Sequence, residues 1–422
     1  MPRYIVFVKI VRYMLVFLFI ALSLNGLLIY VQYCQAGVGF SQEITKKSAT
    51  EGEWKYYQQL HEWLDGNITM EKVEYVTDEF HKYQTSVSNQ MYSTKYDPEN
   101  THTGYFFGDY SILSTYFYQP LEYSVKYSLN NEKIVEKAQE NVAFYSEKEN
   151  LYEKEKNQYI AKCYKDRSIR EFYDFQGWEK LLVYDYSDLF VVVLFLLAIV
   201  PCYYNEEQYK MTEILLISKK RRKFYIENKR YALYFWVLCL VTIFSLSDYM
   251  MFDVLYGMNG NHVNLYVLSD YQYSAFGGSI VGFYCLGKVM KCFGMILFTE
   301  ISAWFIRRMK NVYVIYAVLV LFFILGLYGS GFLCSVNPLK QYLSLLNPLS
   351  AFGLVELGKG CYGIGVFGHF VLWLFLFVIV QLMIWLAFHY MFGSVEICAK
   401  KKVFDCKRIK KERIWKYGSK RV

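Results

Sequence analysis

Long runs of apolar residues recur along this chain, and they constrain its fold more than any other feature. A helix needs about twenty predominantly apolar residues to cross the hydrocarbon core of a bilayer, and six runs approach or exceed that length. The composition agrees, because 55% of the 422 residues are hydrophobic and 20% are aromatic. We therefore predict an all-α polytopic membrane protein, with six transmembrane helices and a mainly helical extracellular domain inserted after the first.

Charge asymmetry sets the expected orientation of these helices. Lys and Arg beside short loops mark the cytoplasmic side, and 11 such residues against three acids lie between Glu396 and Val422. Both termini are therefore predicted to be cytoplasmic, in the plasma membrane. A basic tail is sometimes a nucleic-acid site. Attraction to anionic membrane lipids is the simpler interpretation, so no nucleic-acid partner is expected.

These rules predict a definite order along the chain. The transmembrane helices are 13–33, 187–204, 231–250, 287–306, 312–333 and 364–392. The cytoplasmic segments are 1–12, 205–230, 307–311 and the tail 393–422, and the extracellular segments are 34–186, 251–286 and 334–363. Two alternatives stay open. The first run would also suit a cleaved signal peptide. The stretch 271–306 would also suit two spans, but one crossing, with Lys288 and Lys291 reaching outward, keeps the basic tail inside.

The long polar segment after the first span has a helical rhythm. It is acidic, with 25 acids against 17 basic residues from Cys34 to Ser187. Thr50 and Glu53 have the spacing of a capping box, and Gly66 suits a helix stop. Apolar and aromatic residues recur every three or four positions between 135 and 163, which predicts an amphipathic hairpin or stalk. The aromatic stretch 104–130 is compatible with strands.

Motifs for catalysis or metal binding are missing from the sequence. No GxxxxGK[ST] run occurs, so any ATPase would be another chain, and we predict that this chain is not itself an enzyme. The histidines are scattered, and no cysteine spacing resembles a zinc site, so no catalytic residue, metal or cofactor is expected in the chain. Cys334 and Cys361 would both face outward, which leaves a disulfide between them open.

The segment 205–230, called the charged segment below, carries the most specific signal. Its acidic and basic side chains would each cost roughly 2.5–3.5 kcal/mol at the bilayer centre, so it must lie in water beside the membrane. Met211, Leu215, Leu216 and Lys219 share one face at helical spacing. Two interpretations are equally compatible with this pattern: an amphipathic helix that docks on a soluble protein, or a basic loop that only fixes topology.

The same segment resembles the motif between the second and third spans of type-2 ABC exporter permeases. In that family an acidic residue, Gly-Thr, Leu-Leu, Ser and Arg precede a Lys that opens the next span. Met211 replaces the Gly here, and Lys219-Lys220 replaces the usual Pro-containing turn. The positions that the resemblance implicates in coupling to an ATPase are Glu207, Met211, Thr212, Leu215, Leu216, Ser218, Arg222 and Lys229.

The resemblance implies a function and a set of partners. The chain would be the membrane-spanning permease subunit of an ATP-driven ABC exporter, with ATP and Mg²⁺ held by a separate cytosolic ATPase. A second permease subunit and membrane lipids would be its other partners, and the cargo would be an amphiphilic peptide, drug or lipid. The alternative is a non-transporting sensor or immunity protein whose extracellular domain binds a peptide or an envelope component.

Two carboxylates lie in or beside the predicted spans. Glu300 is the notable intramembrane polar residue, about two turns before Arg307. It is expected to pair with Arg307 or with a residue of the charged segment, although a gating or substrate role is the alternative. Asp248, at the outer end of the third span, is expected to be solvated.

Overall fold

The computed structural model describes residues 2–35, 45–47, 49, 51–88, 107–208, 222–332, 334 and 337–389. Within these residues five helices are long and apolar enough to cross a membrane: Tyr13–Gln35, Gln176–Asn205, Glu227–Tyr256, Ile280–Ile306 and Val312–Ser330. A further apolar helix, Trp373–His389, is shorter. The protein is therefore a mainly helical membrane protein.

The described chain is mainly helical and contains two very small sheets. The helices are α1 Pro2–Gln35, α2 Glu51–Leu64, α3 Met70–Ser88, α4 Phe107–Ile112, α5 Gln119–Glu147, α6 Leu151–Tyr164, α7 Gln176–Val183, α8 Tyr186–Gln208, α9 Arg222–Tyr256, α10 Ile280–Ile306, α11 Val312–Ser330, α12 Pro338–Leu346, α13 Leu354–Gly358 and α14 Trp373–His389. A π-helical turn (Leu113–Tyr118) joins α4 to α5, and 3₁₀ turns occur at Leu265–Val267, Ser269–Tyr271 and Pro348–Gly353.

The strands form two antiparallel pairs. Strands β1 (Gly66–Asn67) and β2 (Glu171–Phe172) pair with Gly66 opposite Phe172, and strands β3 (Gly363–Val366) and β4 (His369–Leu372) form a hairpin. The chain divides into two compact units. The first contains Met1–Phe190, Thr242–Val289 and Leu354–Trp373, and the second contains Val191–Val241, Met290–Gly353 and Leu374–Val422.

In the first unit, α2 and α3 build an aromatic core with the helices that follow. Tyr57, Leu60 and Leu64 lie on one face of α2 and pack with Val76 and Phe80 of α3. Helix α2 ends before Gly66, whose φ of +95° favours glycine, so the predicted stop is confirmed. Thr50, the other end of the predicted capping box, lies outside the described residues. The strands considered for 104–130 are wrong for residues 107–130, which are helical.

Helices α5 and α6 form the predicted amphipathic hairpin. Glu149 adopts φ +55° in the turn between them, and the Asn150 side chain accepts a hydrogen bond from the Glu153 amide at 3.2 Å, which caps α6. Across the hairpin, Asn141 Nδ2 donates to Asn157 Oδ1 at 3.1 Å. These local turn and cap interactions explain why the chain reverses here.

The predicted sixth span, 364–392, begins differently from expectation. Residues 363–372 form the β3–β4 hairpin, and the helix starts only at Trp373. Phe367 and Gly368 have φ of +49° and +85°, as a two-residue hairpin turn of the primed type requires. Glu155 of α6 fixes the hairpin, because its carboxylate accepts from the Phe370 amide and lies against His369 Nδ1, both at 2.8 Å.

The predictions for the fourth span and for the segment after the fifth have mixed outcomes. Residues 280–306 form one helix, so the alternative of two spans is wrong. Lys291 does not reach outward: it is buried, with its ammonium group 5.5 Å from the Phe352 ring centre. Within the predicted extracellular segment 334–363, Pro338–Leu346 forms helix α12, which is capped by Asn337, whose side chain accepts from the Leu339 amide at 3.0 Å.

The disulfide considered between Cys334 and Cys361 is not formed, because Cys361 is a free thiol. Burial raises the pKa of this thiol to about 12, and the neighbouring Cys163 thiol contributes in the same direction. Cys361 is therefore protonated at neutral pH and a weak nucleophile.

Candidate functional site

The structure describes only part of the predicted coupling site. Met211, Thr212, Leu215, Leu216 and Ser218 lie outside the described residues. The backbone at Glu207 belongs to the last turn of α8, and Arg222 is the first residue of α9. Lys229 and Glu300 are described with their side chains. The described part of the site therefore begins where the charged segment joins α9.

Lys229 fastens this end of the charged segment to α8. Its ammonium group donates a hydrogen bond to the Cys202 carbonyl and lies 3.8 Å from the centre of the Tyr203 ring. Arg307, which follows α10, stacks on the same Tyr203 ring at 5.2 Å. Two cations on one aromatic ring hold α8 between the start of α9 and the end of α10.

Arg230 and Glu300 form a bidentate ion pair inside the second unit. Arg230 Nε donates to Glu300 Oε1 at 3.0 Å, and Arg230 Nη2 donates to Glu300 Oε2. The side chains are 11% and 2% exposed, so the pair is nearly dry. Glu300 was expected to pair with Arg307 or with a residue of the charged segment. It pairs with Arg230, the last residue of that segment. Arg307 contacts the Tyr203 ring.

Neighbouring side chains complete the hydrogen bonding of this pair. Tyr234, one turn after Arg230, donates its hydroxyl hydrogen to Glu300 Oε1, and Trp385 Nε1 lies 3.4 Å from the same hydroxyl oxygen. Arg230 Nη1 lies 3.3 Å from His389 Nδ1. Since an arginine has only donors, His389 is the acceptor in this contact.

We call Lys229, Arg230, Tyr234, Glu300, Trp385 and His389 the Arg230 cluster. It joins α9 to α10 through the ion pair, to α14 through Trp385 and His389, and to α8 through Lys229. Such contacts can fix the positions of these helices relative to one another. In the described part of the chain, no group of three or more His, Cys, Asp or Glu residues could hold a metal ion.

Sequence reasoning identified Glu300 and Lys229 but missed most of this cluster. Arg230 was counted only as one of several basic residues of the charged segment, and His389 and Trp385 fall in an apolar run without any local signal. Positions Arg230 and Tyr234, like Trp385 and His389, are four residues apart and share a helix face. This four-residue spacing is the sequence signal that could have indicated the two pairs.

Asp248 is a second buried carboxylate, and the expectation that it is solvated is wrong. It is 0% exposed, and its Oδ1 accepts from Asn25 Nδ2 at 2.6 Å. Tyr184 in turn donates to Asn25 Oδ1 at 2.7 Å. This polar chain links α1, the segment between α7 and α8, and α9 in the first unit. Asp253, five residues further along α9, is exposed.

Replacing Asn25 by leucine is expected to destabilise the protein by about 2–4 kcal/mol, because Asp248 loses a donor and Tyr184 an acceptor in a buried site. The matched control in the same helix is Ser23→Ala, which removes an exposed hydroxyl bonded to the Phe19 carbonyl and should change stability by under about 0.5 kcal/mol. Thermal unfolding midpoints in detergent compare the two. Equal midpoints for both variants would show that the polar chain contributes nothing.

No family model, no curated protein and no solved structure matches this chain.

Proposed function

We propose that the chain is the membrane-spanning permease subunit of an ATP-driven ABC exporter in the plasma membrane. In this proposal there are six crossings, both termini lie in the cytoplasm, and residues 34–186 lie outside the cell. A separate cytosolic ATPase holds ATP and Mg²⁺ and docks on the charged segment. A second permease subunit completes the translocation pathway for an amphiphilic peptide, drug or lipid.

The Arg230 cluster is the observation that carries this proposal. The charged segment enters α9 at Lys229 and Arg230, and these two side chains contact α8, α10 and α14 of the second unit. A push on the charged segment would therefore move four helices together. Small rigid shifts of packed helices are a common form of conformational switching.

The same cluster favours coupling over the interpretation of a loop that only fixes topology. Orientation depends on the number of Lys and Arg residues beside a span and requires no buried partner for any of them. Burying an ion pair costs several kcal/mol per ion in desolvation, which good geometry only offsets. A bidentate, hydrogen-bonded pair at the end of the segment is what a mechanical link requires.

The test compares two variants of the charged segment. Leu215→Asp places a carboxylate on the face predicted to contact the ATPase, and Ile217→Asp places the same group about 160° around the predicted helix. The tagged chain is purified in mild detergent from its own host, and bound ABC ATPase is identified by mass spectrometry and by MgATP hydrolysis. We expect Leu215→Asp to lower the co-purified activity at least about tenfold, which corresponds to about 1.4 kcal/mol of binding energy, and Ile217→Asp to retain it.

Two results would contradict the proposal. One is a well-folded wild-type protein that carries no ABC ATPase, which would favour the sensor or immunity hypothesis. The other is a Ser218→Cys variant labelled from outside intact cells by a membrane-impermeant maleimide, because the charged segment would then be extracellular.

A further inference from the structure

A cavity of about 490 Å³ lies in the first unit, between α2, the start of α5, the stretch from β2 to α7, and the loop at 267–269. Pockets that bind small molecules usually measure roughly 300–1,000 Å³. The cavity lies outside the Arg230 cluster and takes no part in the coupling described above. Its size therefore suits a ligand of its own.

Aromatic rings dominate the lining of this cavity. Tyr57 and Tyr116 meet edge to face at 5.7 Å, and Tyr57 and Trp54 stack beside them at 5.5 Å. The faces of such rings carry a negative electrostatic potential that attracts cations. The rings that line the cavity belong to Tyr57, Tyr116, Tyr123, Phe172, Tyr173 and Phe175.

Asp174 contributes a negative charge to this wall, and its hydrogen-bond donors among the described residues are neutral. Its Oδ1 accepts from the Gln176 amide at 3.0 Å, and its Oδ2 accepts from the Tyr57 hydroxyl at 2.5 Å. Both donors are neutral, so they orient the carboxylate and leave its charge in place. Burial, with the Asp174 charge as the next cause, raises the pKa of Tyr57, which keeps this hydroxyl protonated as a donor.

Gln176 adds an open acceptor to the same wall. Its Nε2 donates to the Tyr57 hydroxyl oxygen at 2.7 Å, whereas its Oε1 is buried and has no hydrogen-bond partner among the described residues. Buried polar atoms are normally paired, and an orphan acceptor in a cavity wall indicates a donor that arrives with a ligand or with water.

Acidic residues outnumber basic ones around this site. A second cavity of about 500 Å³ shares Tyr57, His61 and Asp174 with the first. Four acids line the two cavities, against two lysines: Glu62, Asp65, Asp174 and Glu179, with Lys55 and Lys180. The electrostatic environment therefore disfavours an anionic ligand.

We propose that the cavity lined by Tyr57, Tyr116 and Asp174 binds an amphiphilic organic cation, with its apolar body against the aromatic rings and its charged group beside Asp174. This inference deepens the proposed export function by naming a class of ligand. Binding of the cation can be measured without export, because all of the contacts proposed for it lie within the first unit.

The experiment uses two ions of nearly the same size and shape and of opposite charge. Tetraphenylphosphonium and tetraphenylborate are each titrated by calorimetry into the purified full-length protein in detergent, without ATP, with empty micelles as the blank. We expect saturable binding of the phosphonium and none of the borate. Equal binding of both ions, or no saturable binding of the phosphonium, would overturn the proposal.

Two carboxylate variants locate the binding site. Asp174→Asn keeps the shape of the side chain and should weaken phosphonium binding at least about tenfold. The control is Asp270→Asn, which removes an exposed carboxylate that does not line the cavity and should leave the affinity unchanged. A similar loss in both variants would indicate a general charge effect and contradict the site.

Asp174 also holds Tyr57, so the fold of its variant is checked by thermal unfolding. If Asp174→Asn is unfolded, Tyr116→Ala tests the aromatic wall instead, and an unchanged phosphonium affinity in that variant would refute the site. Co-purification of an ATPase and binding of the phosphonium are separate measurements. Either proposal can therefore fail while the other stands.

Discussion

Replacing Glu300 by leucine is expected to destabilise the protein by about 3–5 kcal/mol. The change removes the bidentate carboxylate partner of Arg230 in a site where the two side chains are 11% and 2% exposed. It also removes the acceptor of the Tyr234 hydroxyl. The measurement is the free energy of unfolding by SDS titration in mixed micelles, supported by the thermal midpoint.

A double-mutant cycle separates loss of the pair from loss of packing. Arg230→Met with Glu300→Leu replaces both charges by apolar groups and should recover most of the stability lost in either single variant. The control pair is Lys359 with Glu356, an exposed contact at 2.9 Å, where Glu356→Gln should cost under about 1 kcal/mol. Additive effects of the Arg230 and Glu300 changes would show that the two residues do not form a stabilising unit.

The cycle also bears on function. If the Arg230 cluster is the mechanical link, the double variant should be folded and should still bind the ATPase, yet lose transport. The single variants would then lose stability, whereas the double variant would keep its stability and lose coupling. A double variant with wild-type transport would leave the ion pair a purely structural role.

Replacing Gly294 by alanine is expected to destabilise the protein by about 1–3 kcal/mol, although alanine favours helices. A Cβ atom at Gly294 would lie 2.6 Å from the Pro348 carbonyl oxygen and 3.2 Å from Ala351 Cβ. The oxygen belongs to the backbone, so α10 and the 3₁₀ turn Pro348–Gly353 would have to separate. Small residues allow this close approach of elements in membrane proteins.

The matched control is Gly287→Ala in the same helix. A Cβ atom there meets only Leu354 Cδ2 at 3.8 Å, an ordinary contact. Helix propensity then dominates, and the variant should gain up to about 1 kcal/mol. Thermal midpoints that fall for Gly294→Ala and rise or stay constant for Gly287→Ala would agree with the packing. A higher thermal midpoint in both variants would show that α10 and the Pro348–Gly353 turn can move apart at Gly294 without loss of stability.

The membrane helices could be predicted because their signal is local. The segment predicted as the fifth span, 312–333, is helical as α11 at Val312–Ser330, and residues 280–306 form one continuous helix, α10, as the prediction of a single fourth span requires. The hairpin at 363–372 was missed because an apolar run has the same hydropathy in a strand as in a helix. Only the turn at Phe367 and Gly368 distinguishes the two, and phenylalanine rarely adopts a positive φ.

The polar contacts of the candidate site were less predictable. Glu300 was recognisable as an ionisable residue in an apolar run, and its partner was narrowed to two alternatives. Asp248 was misjudged, because distance from the end of a run does not reveal that Asn25 of α1 covers it. The exposure of a side chain depends on its neighbours in space, and most of these come from other helices.

The sequence by itself determined that the chain is a helical membrane protein and where its apolar helices lie, because the transfer of each segment into lipid depends on its own residues. The tertiary structure decided which charges meet. Arg230 and Glu300 are 70 residues apart, and Glu300 contacts this arginine instead of Arg307 because the packing of α9 against α10 places its guanidinium group at the same depth. Such long-range pairing is a property of packed helices, and no single segment encodes it.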